Sequence, residues 1–258
     1  MKLLLIDAIG PFFRDLPKGR VNWSKIPFAR LPLEPTKRRQ RFDRIAQDLQ
    51  TFARRVGEIG YNAVSLDDVA HLADHPWYEP EIRRWIAIFR QEFRRLFGLL
   101  AQQGLAIYLT MDVLSLTPRL KRKLFGDERR INLFLWELLQ GLLQDFPEIA
   151  GVILRIGESD GRDVKDHFRS ELHIRTPLQL NRLLETLLPL FEREGRHLIL
   201  RTWTVGAYPV GDCIWHRDTL ARSLEGIDSP AFILSMKYGE SDFFRYLPLN
   251  PQFFATGV

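Results

Sequence analysis

Apolar positions along this chain repeat in two rhythms. Phe42, Ile45, Leu49, Phe52, Val56 and Ile59 recur at three- and four-residue steps. So do Ile82, Trp85, Ile86, Phe89, Phe93, Leu96, Phe97 and Leu100, then Ile131 to Leu142, then Leu180 to Phe191. Each set puts one apolar stripe on a helix, to be packed against something flat. A shorter helix over "HRDTLARSLEG" is expected to end at Gly226. Between the helices lie apolar runs with no helical period, at 2–10, 61–69, 105–113, 151–158, 197–205 and 231–240. Near-continuous apolar strands are the mark of a parallel sheet. Gly60, Gly104, Gly151 and Gly195 stand just before strands, where helix C-caps are expected. The six-fold alternation without a linker reads as one α/β domain spanning 1–258.

The polar residues choose between architectures. Asp7, Asp67 with Asp68, Asp112, Glu158, Trp203 and Lys237 all fall at or just past the ends of the runs. Strands arranged around a ring would bring these groups to one mouth. A doubly wound sheet usually carries a glycine fingerprint after its first strand, and "DAIGPFFR" is not one. The expected fold is therefore a (β/α)8 barrel of the TIM type, with six of its eight units present. On this reading the chain is truncated before strands seven and eight.

Composition narrows the setting. The chain has 258 residues and is 45% hydrophobic, ample for a core. One cysteine, Cys213, excludes an intramolecular disulfide and suits a reducing compartment. "KLLLIDAIG" is too short and too soon interrupted for a signal peptide, so a cytoplasmic location is expected, with no membrane partner. The net charge of +5 would admit an anionic partner.

Glu158 is the first candidate for chemistry, because partial burial beside Ile156 would raise its pKa as a general acid requires. Asp242 is the second carboxylate, with Glu240 competing. Two carboxylates across a barrel mouth are the minimum equipment for glycoside hydrolysis. Trp23, Trp77, Tyr78, Trp203, Tyr208, Trp215 and Tyr238 follow strands and could present flat faces to a sugar, although half or more are expected to be packing residues. Arg201 and Lys237, near strand ends, are costly to bury without an anion. Arg201 shares a face with Trp203, giving a pocket for an acidic sugar. Arg155 opposes Glu158 under strict alternation, so it would reach the mouth only through a bulge. Asp67 and His71 are candidates for sugar contacts. His71 and His75 lack the pattern of a zinc helix, so no metal and no cofactor is expected.

The stretches "LRIGESDG", "LILRTWTVG" and "MKYGESDFFRYLPLNP" resemble the catalytic barrel of glycoside hydrolase family 67, the α-glucuronidases. The resemblance implies a clan A barrel performing inverting hydrolysis of a uronic-acid sugar, without a cofactor. It implies Glu158 as general acid, Asp242 as a base carboxylate, and Arg201 with Lys237 as cations on the sugar carboxylate. Trp203, Tyr238, Glu240, Asp67 and His71 complete the expected substrate contacts. The family's second base glutamate follows a seventh strand, beyond the last run here.

Two other readings compete. A degenerate barrel would bind carbohydrate without turnover, and an incomplete barrel would allow oligomerisation. A nucleic-acid binder would use "TKRRQR" and the arginines at 83, 84, 90, 94 and 95, but these share a helix with a strong apolar stripe, which disfavours it.

Overall fold

A computed structural model describes residues 2–16, 25–156, 167–202, 218–239 and 248–255. In chain order the elements are β1 (Leu5–Asp7), α1 (Pro35–Glu58), β2 (Ala63–Leu66), α2 (Val69–Leu72), α3 (Pro80–Gln102), β3 (Ala106–Asp112), β4 (Ser115–Leu116), α4 (Pro118–Leu124) and α5 (Glu128–Asp145). There follow β5 (Ile149–Arg155), β6 (Arg169–Ser170), α6 (Pro177–Glu194), β7 (His197–Arg201), α7 (Thr219–Ser223), β8 (Phe232–Ser235) and α8 (Gln252–Ala255). Two single 3-10 turns, Gly10–Phe12 and Phe28–Arg30, lie in the connection from β1 to α1.

Six strands form one parallel sheet in the order β1-β2-β3-β5-β7-β8, each beside its predecessor in the main sheet. Sequential parallel pairing with right-handed crossovers puts the long helices on one face and curls the sheet around the other. The result is a half-barrel of the TIM type. Every one of the six apolar runs contributes one strand.

Helix boundaries follow local chemistry. α1, α3, α4 and α6 each begin on a proline, whose missing N–H costs nothing there. Glu34, Thr117, Asp127 and Thr176 accept hydrogen bonds from first-turn N–H groups of α1, α4, α5 and α6. The helical stripes bury Phe42, Ile45 and Leu49 of α1 and Ile86, Phe93 and Leu100 of α3 against the convex face. Val64, Leu66, Ile107, Leu109, Val152, Leu154, Leu198 and Leu200 supply that face from the strands.

Alternate residues point the other way. Ala63, Tyr108, Ile153 and Ile199 form a separate small cluster on the concave face, with Leu5 and Ile233 beside it. Gly151 belongs to this row. Expected as a helix cap, it lies inside β5 instead, while α5 already ends at Asp145 with Phe146 as its C-cap. A Cβ on Gly151 would stand 2.3 Å from the His197 carbonyl oxygen and 2.7 Å from the Tyr108 ring. The bare backbone lets Tyr108 reach across β5 to hydrogen-bond His197 Nδ1 at 2.9 Å. Gly60, Gly104 and Gly195 do take left-handed conformations at helix ends.

The close contact at Gly151 makes a direct prediction. Gly151→Ala should destabilise the fold by about 1–3 kcal/mol or more through overpacking. Urea denaturation of the variant would check this; an unchanged midpoint would contradict the packing described.

Candidate functional site

The C-terminal ends of the strands carry the polar residues of the concave face. In strand register, Asp112 of β3 lies beside Arg155 of β5, and Arg155 beside Arg201 of β7, which lies beside Ser235 of β8. Two arginines therefore stand next to each other across neighbouring strands. Like charges so placed repel unless anions intervene.

Those anions are present for Arg155. Its side chain is 3% exposed, and its Nε lies 3.1 Å from Asp112 Oδ1, with Nη2 4.0 Å from Asp67 Oδ1. Asp112 also takes Lys25 as an ion-pair partner and a hydrogen bond from the Ser170 hydroxyl. Asp67 accepts from the Thr110 hydroxyl and, through Oδ2, from the Ile26 N–H at 2.6 Å. The network thus ties together the ends of β2, β3 and β5, the β1–α1 connection at Lys25 and Ile26, and β6. β6 itself pairs antiparallel with β4, so the segments after β3 and β5 are also joined directly.

The two buried aspartates respond oppositely to this setting. For Asp67, desolvation outweighs the Arg155 guanidinium, and Asp68 adds repulsion, so its carboxyl is pushed up to about 6. For Asp112, desolvation is overcome by Arg155 and Lys25 together, which hold its carboxyl below the usual range. Asp7, at the end of β1, is also raised, by partial enclosure, against the pull of its own backbone partner Ile9 N–H and of Arg155 and Arg201.

Of the expected site residues, Asp67 is in this network and Arg201 is next to it, half-buried on the same face. Lys237 follows β8 by two residues, and its carbonyl accepts from Asn250 Nδ2. Tyr238 is 67% exposed and meets Phe253 edge-on. His71 is 6% exposed; its ring stacks on Phe28 at 3.9 Å, lies edge-on to Phe168, and bonds Asp68 through Nδ1. It sits among the aromatic rings of Phe28, Phe89 and Phe168. Glu158, Asp242, Glu240 and Trp203 lie outside the described residues, as do Trp23, Tyr208 and Trp215.

Arg155 departs from expectation. Its inward direction follows from its own strand, where Gly151, Ile153 and Arg155 share parity, and needs no bulge at the strand end. The one irregularity in this ladder lies at Ile107/Tyr108, at its far end. Lys25, Asp112, Thr110 and Ser170 were also missed as site residues. Asp112 stood in view as a strand-end acid, whereas Lys25 and Ser170 come from irregular segments with no periodic signal. Trp77 and Tyr78 both pack on Phe134, Tyr78 within the core and Trp77 half-buried against it. Among the described residues no group of three or more His, Cys, Asp or Glu could hold a metal ion. His75 instead bonds Glu137 through Nε2 at 3.1 Å.

Several arginines of α1 and α3 pair with acids on neighbouring elements. Arg83 makes a fork to Asp74, Arg90 pairs with Asp145, Arg95 with Asp43, and Arg38 with Glu92. Arg90 and Arg94 also lie over the Phe146 ring. No helix of the described residues is long and apolar enough to cross a membrane.

No protein-family model matches the sequence, and no curated protein matches it. Solved structures similar to the chain include GH5_18 from Bifidobacterium longum, at 18% identity over 66% of this chain and 41% of that one, with a TM-score of 0.40. The endo-beta-1,4-glucanase Cel5B of Bacillus halodurans is 13% identical over 74% and 34%, with a TM-score of 0.44. The maltogenic alpha-amylase AmyB of Thermotoga neapolitana is 9% identical over 80% and 48%, with a TM-score of 0.41. The chain spans about two fifths of the length of the first of these.

The raised Asp67 carboxyl predicts a pH dependence. Between pH 4 and 6 the unfolded chain has released this proton and the folded chain still holds it, so stability falls as pH rises through that window. Asp112, lowered instead, contributes stability that is lost as pH drops below 4. Asp67→Asn should flatten the fall between pH 4 and 6, as read by urea unfolding at each pH. A variant whose curve parallels the wild type there would show that Asp67 is not the titrating group.

Proposed function

We propose that the concave face binds an acidic sugar and that the chain, alone or as part of a longer protein, hydrolyses a glycosidic bond to it. The observation that carries this reading is the cross-strand pair of arginines at the C-terminal strand ends. Arg155 is neutralised within the sheet by Asp112 and Asp67. Arg201, next in the row and half-buried, takes the carboxylate of a uronic acid in this reading. A guanidinium offers that group two parallel, charge-assisted hydrogen bonds, which a neutral sugar cannot accept.

Glu158, three residues beyond Arg155, supplies the proton to the departing oxygen in this reading, and Asp242 activates water on the opposite side of the ring. Lys237 assists Arg201 with the sugar carboxylate. Trp203, Tyr238 and Glu240 are assigned to contacts with the ring, with Asp67 and His71 supporting the floor of the site. No cofactor takes part in such a reaction.

Hydrolysis of nitrophenyl and alkyl glucuronides and glucosides tests this assignment. Arg201→Met should cost about tenfold to a hundredfold in kcat/KM on glucuronides, with little effect on glucosides. Glu158→Gln should abolish turnover of alkyl glycosides and spare the nitrophenyl ones, whose leaving group needs no acid. Equal losses on both sugars would remove the anionic-substrate assignment. Saturable binding with no turnover by the longest reading frame would favour a non-catalytic carbohydrate-binding barrel.

A further inference from the structure

The outer surface of α5 and α6 carries a pattern that neither the core nor the concave face uses. The two helices run side by side in the same direction. Glu128 of α5 meets Gln179 and Arg182 of α6 near their starts, and further along the Arg193 guanidinium lies over the Trp136 ring. Between them is a cleft of about 800 Å³, walled by Arg129, Leu133 and Trp136 from α5 and by Arg182, Glu185 and Thr186 from α6.

The rim of this cleft is costly for a surface that only water covers. Phe125, three residues before Glu128, is 89% exposed. It also holds a left-handed backbone, with φ 41°, which a bulky side chain ordinarily avoids. Leu133 is 52% exposed and Leu178, at the start of α6, 53%. Pro189 is exposed inside α6, where it has no N–H to give the Glu185 carbonyl. Arg182 pairs with Glu128, but among the described residues no acid pairs with Arg129 and no base with Glu185.

Apolar and charged groups alternate in step along the two helices. On α5 and its approach they are Phe125, Arg129 and Leu133, four residues apart. On α6 they are Leu178, Glu185 and Pro189. The contact of Glu128 with Gln179 and Arg182 fixes the relative heights. Phe125 is then level with Leu178, Arg129 with Glu185 and Leu133 with Pro189, each to within about one helical turn. A second copy, related by a two-fold axis parallel to the helices, sets α5 of one against α6 of the other at equal height. Apolar then meets apolar at both ends, and Arg129 meets Glu185 of the second copy, twice by symmetry. The surface is complementary to itself in charge. Each helix has 18 residues. At about 27 Å long, the pair offers a face on the scale of the roughly 800 Å² that each partner buries in a stable contact.

We propose that two copies of this chain associate through the α5–α6 face, as a two-fold dimer held by reciprocal Arg129–Glu185 ion pairs between apolar contacts of Phe125 with Leu178 and of Leu133 with Pro189. The concave face takes no part, so the proposal is independent of the carbohydrate reading.

Sedimentation equilibrium of the full chain across the micromolar range tests it, and should show monomer and dimer in exchange. Arg129→Glu and Glu185→Arg should each weaken association about tenfold or more, by setting like charges opposite one another. Combined in one chain they should restore it, because opposite charges face each other again. Both side chains are exposed, so neither change disturbs the core. Phe125→Gly should weaken the dimer without lowering the urea midpoint of the diluted monomer, since glycine accepts that backbone freely. A chain that stays monomeric throughout, a dimer unaffected by either single charge reversal, or one that the double reversal fails to restore overturns the proposal.

Discussion

A guanidinium buried between two aspartates is the constraint on which the strand ends depend. Arg155 cannot stand uncompensated at 3% exposure, because desolvating an unpaired charge costs several kcal/mol. Its partners come from two different strand ends, Asp67 after β2 and Asp112 on β3. Asp112 in turn fixes Lys25 and Ser170, and Asp67 fixes the Ile26 backbone. A single buried cation thereby sets the relative positions of the segments after β1, β2, β3 and β5. A pair of well-packed apolar side chains could match its stability, but would not specify this set of partners.

The same network governs the electrostatics of the concave face. The aspartates neutralise Arg155, and Arg201 stands next to it in the row, half-buried and within electrostatic reach of Asp7. The unequal responses of Asp67 and Asp112 follow from how many cations each meets. Asp112 has Arg155 and Lys25 and stays charged, while Asp67 shares Arg155 at a longer distance and faces Asp68 as well. β6 carries this organisation outward, since Ser170 belongs to the network and its neighbours Arg169 and Glu171 line an adjoining cleft beside α3 and α4.

Much of the fold is legible in the chain because each long helix has an apolar stripe at its own period and each strand of the sheet lies in a near-continuous apolar run. Six strands in parallel and in sequential order follow from that alternation. Features without a period were not legible. The two-residue strands β4 and β6 are defined by their pairing with each other, and Lys25 reaches Asp112 across 87 residues of sequence. Gly151 was misread because a glycine before a strand serves equally as a helix cap or as room for a neighbouring ring; here Tyr108 decides it. Arg155 was misread because its face was judged from Glu158 rather than from Gly151 and Ile153 in its own strand. Asp67 was found from its place after a strand, although its partners Thr110, Ile26 and Arg155 could be assigned only in three dimensions.

The central claim is that the end of this half-barrel recognises a carboxylate on a sugar through Arg201. The most direct measurement is an NMR titration of the arginine Nε–Hε signals with glucuronate and, separately, with glucose. The account predicts saturable glucuronate shifts that include the Arg201 signal and vanish in Arg201→Met, with no saturable response to glucose. Equal responses to both sugars, or glucuronate shifts that persist without Arg201, would contradict it.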